Sequence, residues 1–224
     1  MDIQIFVINI CDHRWKKYDP KYYTRWKGVN GKDLNMEWIK ENYIAYWNCN
    51  ENLRRSVAGC SESHLSLLKH IYENNIEKCI IIEDDALIDF EKLSELEDMN
   101  DFCYVGGRFQ TLILKNNKNI NSIVKRDLLK SNEINMIDTN EYIITGGHGY
   151  YIPNPQVAEE VYKNIMQKKK RRAIDCEYKR LQKEGKIKYF IFPAIATLHL
   201  PDSNNGFTFN KKSNWTLKDN NYLY

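Results

Sequence analysis

The chain has 224 residues, of which 42% are hydrophobic and 28% charged, with 33 basic and 30 acidic side chains and a formal net charge of +3. This balance excludes a disordered or fibrous chain, and it excludes nucleic-acid binding driven by bulk charge. The length suits one globular domain over residues 1–224 with a substantial core of its own.

"MDIQIFVINI" carries an acid where a secretory leader needs basic residues, and no segment approaches the roughly 18 apolar residues that span a bilayer. A cytoplasmic protein is expected. The six cysteines, Cys11, Cys49, Cys60, Cys79, Cys103 and Cys176, form no CxxC pair and no Cys/His cluster of zinc spacing. They read as reduced, mostly buried small hydrophobes, and the sequon at Asn214 is then idle.

In chain order, "IQIFVINI" (residues 3–10) is a continuous β-branched run, the pattern of a strand buried on both faces. "SESHLSLLKHIYEN" puts Leu65, Leu68, Ile71 and Tyr72 on one helical stripe, with Ser61 as the expected N-cap. "KCIIIED" (78–84) repeats the buried-strand pattern, and "DFEKLSEL" supplies a short helix capped by Asp89. "DFCYVGG" (101–107) is a strand closed by two glycines. The polar, Asn-rich stretch 116–140 is expected to be a mobile or inserted loop.

"EYIITGGHGYYIP" gives two apolar runs split by "GGHG", where glycines permit positive φ or the close approach of a ligand. "PQVAEEVYKNIMQ" is a helix with Pro155 in its first turn. "IDCEYKRLQKEG" is another, with Asp175 as its cap and Gly185 as its stop, before "IKYFIFPAIATLHL" returns to strand. Alternating strands and helices predict an α/β fold around a mostly parallel sheet.

In an open α/β sheet, ligands bind beyond the carboxyl ends of the strands, and "IIIEDD" places Glu83, Asp84 and Asp85 at such an end. Three adjacent carboxylates repel one another, and a hard divalent cation such as Mg²⁺ or Mn²⁺ would relieve that repulsion. The competing reading is that Asp84 and Asp85 only cap a helix or solvate a turn.

Several stretches shift the balance between these readings. "VINICDHRWKKY", "RWKGVNGKDL", "AGCSESHLSLLKHI", "KCIIIEDDALI", "TGGHGYYIPNPQVAEEV" and "RRAIDCEY", in that order, resemble glycosyltransferase family 25, the lipopolysaccharide-type sugar transferases. The "GC..SH" and "EDD" pair is the most specific part. The loop 116–140 and the last two dozen residues match poorly.

The resemblance implies a GT-A nucleotide-binding sandwich that transfers a hexose, with inversion, from a nucleotide-diphosphate sugar to a glycan hydroxyl. The expected donor is a UDP-sugar and the expected acceptor a glycan or lipid-linked glycan. Carried onto this chain, Asp85 ends the metal-binding acidic motif and would hold Mn²⁺ or Mg²⁺. Glu83 would contact the ribose or a metal-bound water, with Asp84 between them.

Asn9, His13 and Arg14 stand where the resemblance puts the nucleotide base and ribose, although Arg14 could equally pair with a surface acid. Ser63 and His64, read as the first turn of their helix, would face the donor near its positive end, or His64 would tie that helix to the acidic strand. Asp175 is the candidate general base, with Glu177 the nearest substitute, or Asp175 is only an N-cap. His199 is a candidate third metal ligand, against a packed or surface histidine, with Asp202 and Ser203 competing for the role.

"KKKRR" (168–172) reads first as a solvated charge run, and second as an attractor for an anionic acceptor with peripheral membrane association. Two rival functions remain on the sequence: a noncatalytic glycan- or nucleotide-binding assembly subunit of the same fold, and a metal-dependent phosphohydrolase. The phosphohydrolase lacks its "DxDx[TV]" nucleophile, and no Walker A loop is present.

Overall fold

The computed structural model describes residues 3–44, 50–111, 134–139, 142–191 and 194–198. Strand β1 (Gln4–Asn9) lies between β2 (Tyr23–Lys27) and β3 (Cys79–Glu83), parallel to both. The chain continues through β4 (Ala86–Ile88), β5 (Cys103–Thr111), β6 (Ile134–Met136), β7 (Tyr142–Ile152), β8 (Tyr189–Ile191) and β9 (Ala196–Leu198). Seven of these strands form one sheet in the order β2-β1-β3-β7-β5-β8-β6, and β4 pairs with β9 in a separate ribbon.

The fold is the expected α/β sandwich. Its parallel pairs are β1–β2, β1–β3 and β5–β8, while β3–β7, β5–β7 and β6–β8 are antiparallel. The three strands that lead to the acids are therefore all parallel, so their carboxyl ends open on one edge.

Period-two burial shows why the apolar runs work. Phe6 and Ile8 of β1, Ile81 of β3 and Tyr150 of β7 enter one core, while Ile5, Val7, Ile80, Ile82 and Tyr151 enter the other. Helices α3 (Glu51–Glu73), α4 (Pro155–Met166) and α5 (Ile174–Lys183) cover the first core with Leu68, Ile71, Val161, Ile165 and Tyr178. The β4–β9 ribbon, Tyr18 and Leu96 cover the second. Two short helices, α1 (Asp12–Trp15) and α2 (Met36–Asn42), lie on the loops after β1 and β2.

Several local expectations change. Helix α3 starts at Glu51, where the Asn50 side chain accepts from the Leu53 N–H at 2.9 Å, so Ser61 is not a cap and Ser63 and His64 lie far from the helix start. The earlier turns were hidden because "ENLRRSVAGC" has no clean apolar stripe. Helix α5 is capped at Ala173 without a side-chain hydrogen bond, so Asp175 belongs to its first turn and is not the cap. "DFEKLSEL" forms a 3-10 turn over Phe90–Leu96 behind Asp89, and Gly185 stops α5 with φ of 69°.

"GGHG" does not split its segment, since β7 runs through it as one strand with Gly146 at φ of 82°. Nor do Gly106 and Gly107 close β5. A Cβ at Gly106 would stand 2.5 Å from the Ala196 carbonyl oxygen, and one at Gly149 would stand 2.5 Å from the Ala196 Cβ. These glycines let β9 lie directly over the sheet. The expected loop 116–140 falls largely outside the described residues, and its described end contains β6. Strand β2 was not legible, because "YTRWK" shows neither an apolar run nor strict alternation.

Candidate functional site

Register sets Ile8 beside Glu83, so Asn9 and the acids leave the sheet at the same edge. Asn9 is 1% exposed, and its Nδ2 donates to Asp84 Oδ2 at 2.7 Å and to the Cys11 carbonyl at 2.9 Å. Arg14 Nη1 donates to the other oxygen, Oδ1, at 2.9 Å. Asp84 is thus a buried carboxylate with its charge matched and both oxygens engaged, the condition under which a buried ion is tolerated. Asn9, Arg14 and Asp84, each expected at the nucleotide, are in this structure bonded to one another, and they brace the turn that carries Asp85. Tyr18 adds a second brace through its hydroxyl, which donates to the Ala86 carbonyl at 2.6 Å.

Asp85 has the opposite surroundings. Its Oδ1 is buried with no hydrogen-bond partner. Burial, then the charges of Glu83 and Asp84, push its carboxyl up to about 7. Two more unpartnered atoms stand at the same edge: Asn9 Oδ1 and the buried ammonium Nζ of Lys17, which lies 4.8 Å over the Tyr18 ring. Burial lowers the Lys17 pKa against the pull of Asp85 and then Asp84. An amide oxygen, an ammonium and a carboxylate oxygen without hydrogen-bond partners are each costly when buried, by about 1–3 kcal/mol or more. Lys17 was missed because nothing in "RWKKY" separates it from its exposed neighbour Lys16. His13 is exposed on α1.

The "GC..SH" segment is explained turn by turn. Gly59 leaves room for the loop after β2, since a Cβ there would stand 2.6 Å from the Gly31 nitrogen. Ser63 is tied internally: its hydroxyl donates to the Gly59 carbonyl at 2.7 Å and accepts from the Val29 N–H at 2.8 Å. It holds that loop against α3.

Cys60 and His64, four residues apart, share one helical face. His64 is fully buried, with Nδ1 2.8 Å from the Tyr150 hydroxyl and Nε2 3.4 Å from Glu83 Oε1. Cys60 Sγ lies 4.0 Å from the same oxygen. The ligand atoms of Cys60, His64 and Glu83 all lie within 4.8 Å of one another, a cluster that spacing along the chain did not reveal because Glu83 comes from a different element. Burial pushes the Glu83 carboxyl up, but the His64 hydrogen bond and the charges of His64 and His148 outweigh it and hold it below its ordinary value.

His148, in the "GGHG" segment, is the other residue that sequence reasoning did not single out. It is 4% exposed, and it stands one residue beyond the Ile82–Gly149 pair, as Glu83 does on β3.

Asp175 reaches this region from α5. Burial, then the charges of Glu83, Asp175 and Asp85, push the Cys60 thiol well up. The start of α5 is fixed by the Ile174 N–H, which donates to Ser61 Oγ at 3.0 Å. Glu177 is occupied elsewhere, accepting from the Arg172 N–H at 2.8 Å and from Arg180 Nε at 2.9 Å while 2% exposed.

His199 lies outside the described residues, as do Asp202 and Ser203. Leu198, just before His199, pairs with Ala86, just after Asp85. In "KKKRR", Lys168, Lys169, Lys170 and Arg172 are exposed, but Arg171 is buried against Glu62 at 2.9 Å. Among the described residues no helix is long and apolar enough to cross a membrane.

The profile of glycosyltransferase family 25 (LPS biosynthesis protein) matches residues 21–177. The span takes in "RWKGVNGKDL", the "GC..SH" helix, the acidic strand end and Asp175, and it leaves out "VINICDHRWKKY". Among curated proteins, none matches the chain.

Proposed function

The chain belongs to glycosyltransferase family 25, and from that premise we propose a metal-dependent, inverting hexosyltransferase that uses a UDP-sugar and a hydroxyl of a glycan or lipid-linked glycan. The observation that carries the site is the set of three buried, unpartnered polar atoms, Asn9 Oδ1, Lys17 Nζ and Asp85 Oδ1, at the carboxyl ends of β1 and β3. That is where an α/β sheet binds a nucleotide.

Asn9 Oδ1 accepts from the base or ribose, and Lys17 offers its ammonium to the diphosphate. The hard carboxylate oxygen of Asp85 fits Mn²⁺ or Mg²⁺, and His199, which follows β9 in sequence, is assigned as its companion. A cation there supplies Lewis acidity to the departing diphosphate. Arg14, Asn9 Nδ2 and Asp84 keep the turn rigid. Glu83, held by His64, adds negative charge beside Asp85.

In the transfer, the acceptor oxygen bonds to the anomeric carbon as the bond from that carbon to the diphosphate oxygen breaks, and the electron pair leaves with the nucleotide. Asp175 takes the hydroxyl proton. Glu177, with both oxygens engaged, is not free for that task.

Calorimetric titration with UDP, GDP and CMP, with and without Mn²⁺, tests the reading on the wild type and on Asp85→Asn. UDP binding that needs Mn²⁺ and is lost in the variant is the expected result. No nucleotide binding at all would sink it, and UDP binding without any sugar transfer would favour the noncatalytic subunit.

A further inference from the structure

We propose that Cys60, His64 and Glu83 form a second cation site, selective for Zn²⁺ and distinct from the cation assigned to Asp85. Two ligand atoms about 2.0–2.1 Å from a tetrahedral ion stand about 3.4 Å apart. His64 Nε2 and Glu83 Oε1 stand 3.4 Å apart. Cys60 Sγ, 4.0 Å from the same oxygen, needs to close by only a few tenths of an ångström to reach the corresponding sulfur–oxygen edge of about 3.6 Å.

A thiolate, an imidazole and a carboxylate are the donor set of zinc, whereas Mn²⁺ and Mg²⁺ prefer all-oxygen sites. His64 also has the outer partner such a ligand needs, because the Tyr150 hydroxyl at 2.8 Å fixes its Nδ1 and leaves Nε2 to face Glu83. The three protein ligands leave a fourth position for water. Asp85 is not in the group, and the inference stands on these three residues whether or not the chain transfers sugar.

A zinc ion here would join α3 to the end of β3. Co²⁺ tests it directly, since a thiolate-bound tetrahedral Co²⁺ has a near-ultraviolet charge-transfer band and intense visible bands. One equivalent of Co²⁺ added to the metal-free full chain should give both, and one equivalent of Zn²⁺ should bleach them. The bands should persist in Asp85→Asn and vanish in Cys60→Ser, whose helical circular-dichroism signal should match that of wild type. Dialysed wild type should keep about one Zn²⁺ per chain and Cys60→Ser less than a tenth of that. Absence of the bands in wild type, or their survival in Cys60→Ser, overturns the site. If UDP binding fails while the Co²⁺ bands appear, the transferase reading falls and the zinc site stands.

Discussion

Asp84 and Asp85 are neighbours in sequence with opposite surroundings. Asp84 is held by Arg14 and Asn9, so removing its charge takes from Arg14 the carboxylate it bonds at 2.9 Å. For Asp85, burial and two adjacent acids outweigh the charge of Arg14 and a backbone hydrogen bond and raise its carboxyl to about 7. Its unfolded value is about 3.9. A folded value above the unfolded one means that the group costs nothing at low pH, that the cost grows between about pH 4 and pH 7, and that it is fully present above. In metal-free protein, Asp85→Asn should therefore raise the melting temperature at pH 8, and the gain should disappear near pH 4. A gain that does not depend on pH would refute this account.

Asp175 and Glu177 separate in the same way. Asp175→Asn should lower turnover by about 10²–10⁴ with the melting temperature nearly unchanged. Glu177→Gln should leave chemistry largely intact and cost about 1–3 kcal/mol of stability, since it weakens the bonds to Arg172 and Arg180. Rate assays and thermal melts on both variants decide. The reverse pattern would make Glu177 the base.

At the scale of elements, helix α3 gathers most of the site's supports onto a few turns. Gly59 admits the Gly31 loop, Ser61 holds the start of α5, Ser63 holds Val29, and Cys60 and His64 face Glu83. Alanine at Gly59 would gain about 1 kcal/mol in helix propensity. Its Cβ would nevertheless stand 2.6 Å from the Gly31 nitrogen and 2.8 Å from the Val29 carbonyl, both backbone atoms that cannot swing aside. Overpacking of this kind costs about 1–3 kcal/mol. Gly59→Ala should thus melt several degrees below wild type, and a variant that melts higher would mean the loop can retreat.

The same helix shows what the sequence could and could not reveal. The apolar stripe through Leu65, Leu68 and Ile71 announced a helix, and the β-branched runs announced β1 and β3, because burial on a regular element leaves a period. The start of α3 was hidden, since "ENLRRSVAGC" presents no clean apolar stripe. "EDD" marked the candidate site, but sequence could not say that Asp84 bonds Arg14 while Asp85 Oδ1 has no hydrogen-bond partner. Residues 14 and 84 are brought together only by the parallel pairing of β1 and β3. His148 was illegible for a like reason, since the pairing of β3 and β7 brings it beside Glu83.

Across the whole molecule, the site draws on segments from Asn9 to Asp175, so its geometry depends on anchors between distant parts of the chain. Arg171 is the clearest anchor. It is 5% exposed, pairs with Glu62 of α3 at 2.9 Å, and stacks its guanidinium 4.7 Å from the Tyr43 ring centre. Tyr43 itself donates to Glu62 at 2.6 Å, and the Arg171 backbone bonds to Asn42 and Ile44. The segment that leads into Asp175 is therefore fastened to α2 and α3 by a charge that burial makes costly to orphan.

Arg171→Met would leave the Glu62 carboxylate without its counter-ion, a loss of about 3–5 kcal/mol. Adding Glu62→Leu removes the orphaned charge and should restore roughly half of that loss or more, the remainder reflecting the lost Tyr43–Glu62 hydrogen bond. Denaturant unfolding of wild type, both single variants and the double variant closes the thermodynamic cycle. Additive losses would show that Arg171 acts through its packing on Tyr43 and Trp38. Recovery in the double variant would show that the buried charge pair fastens the two halves of the site.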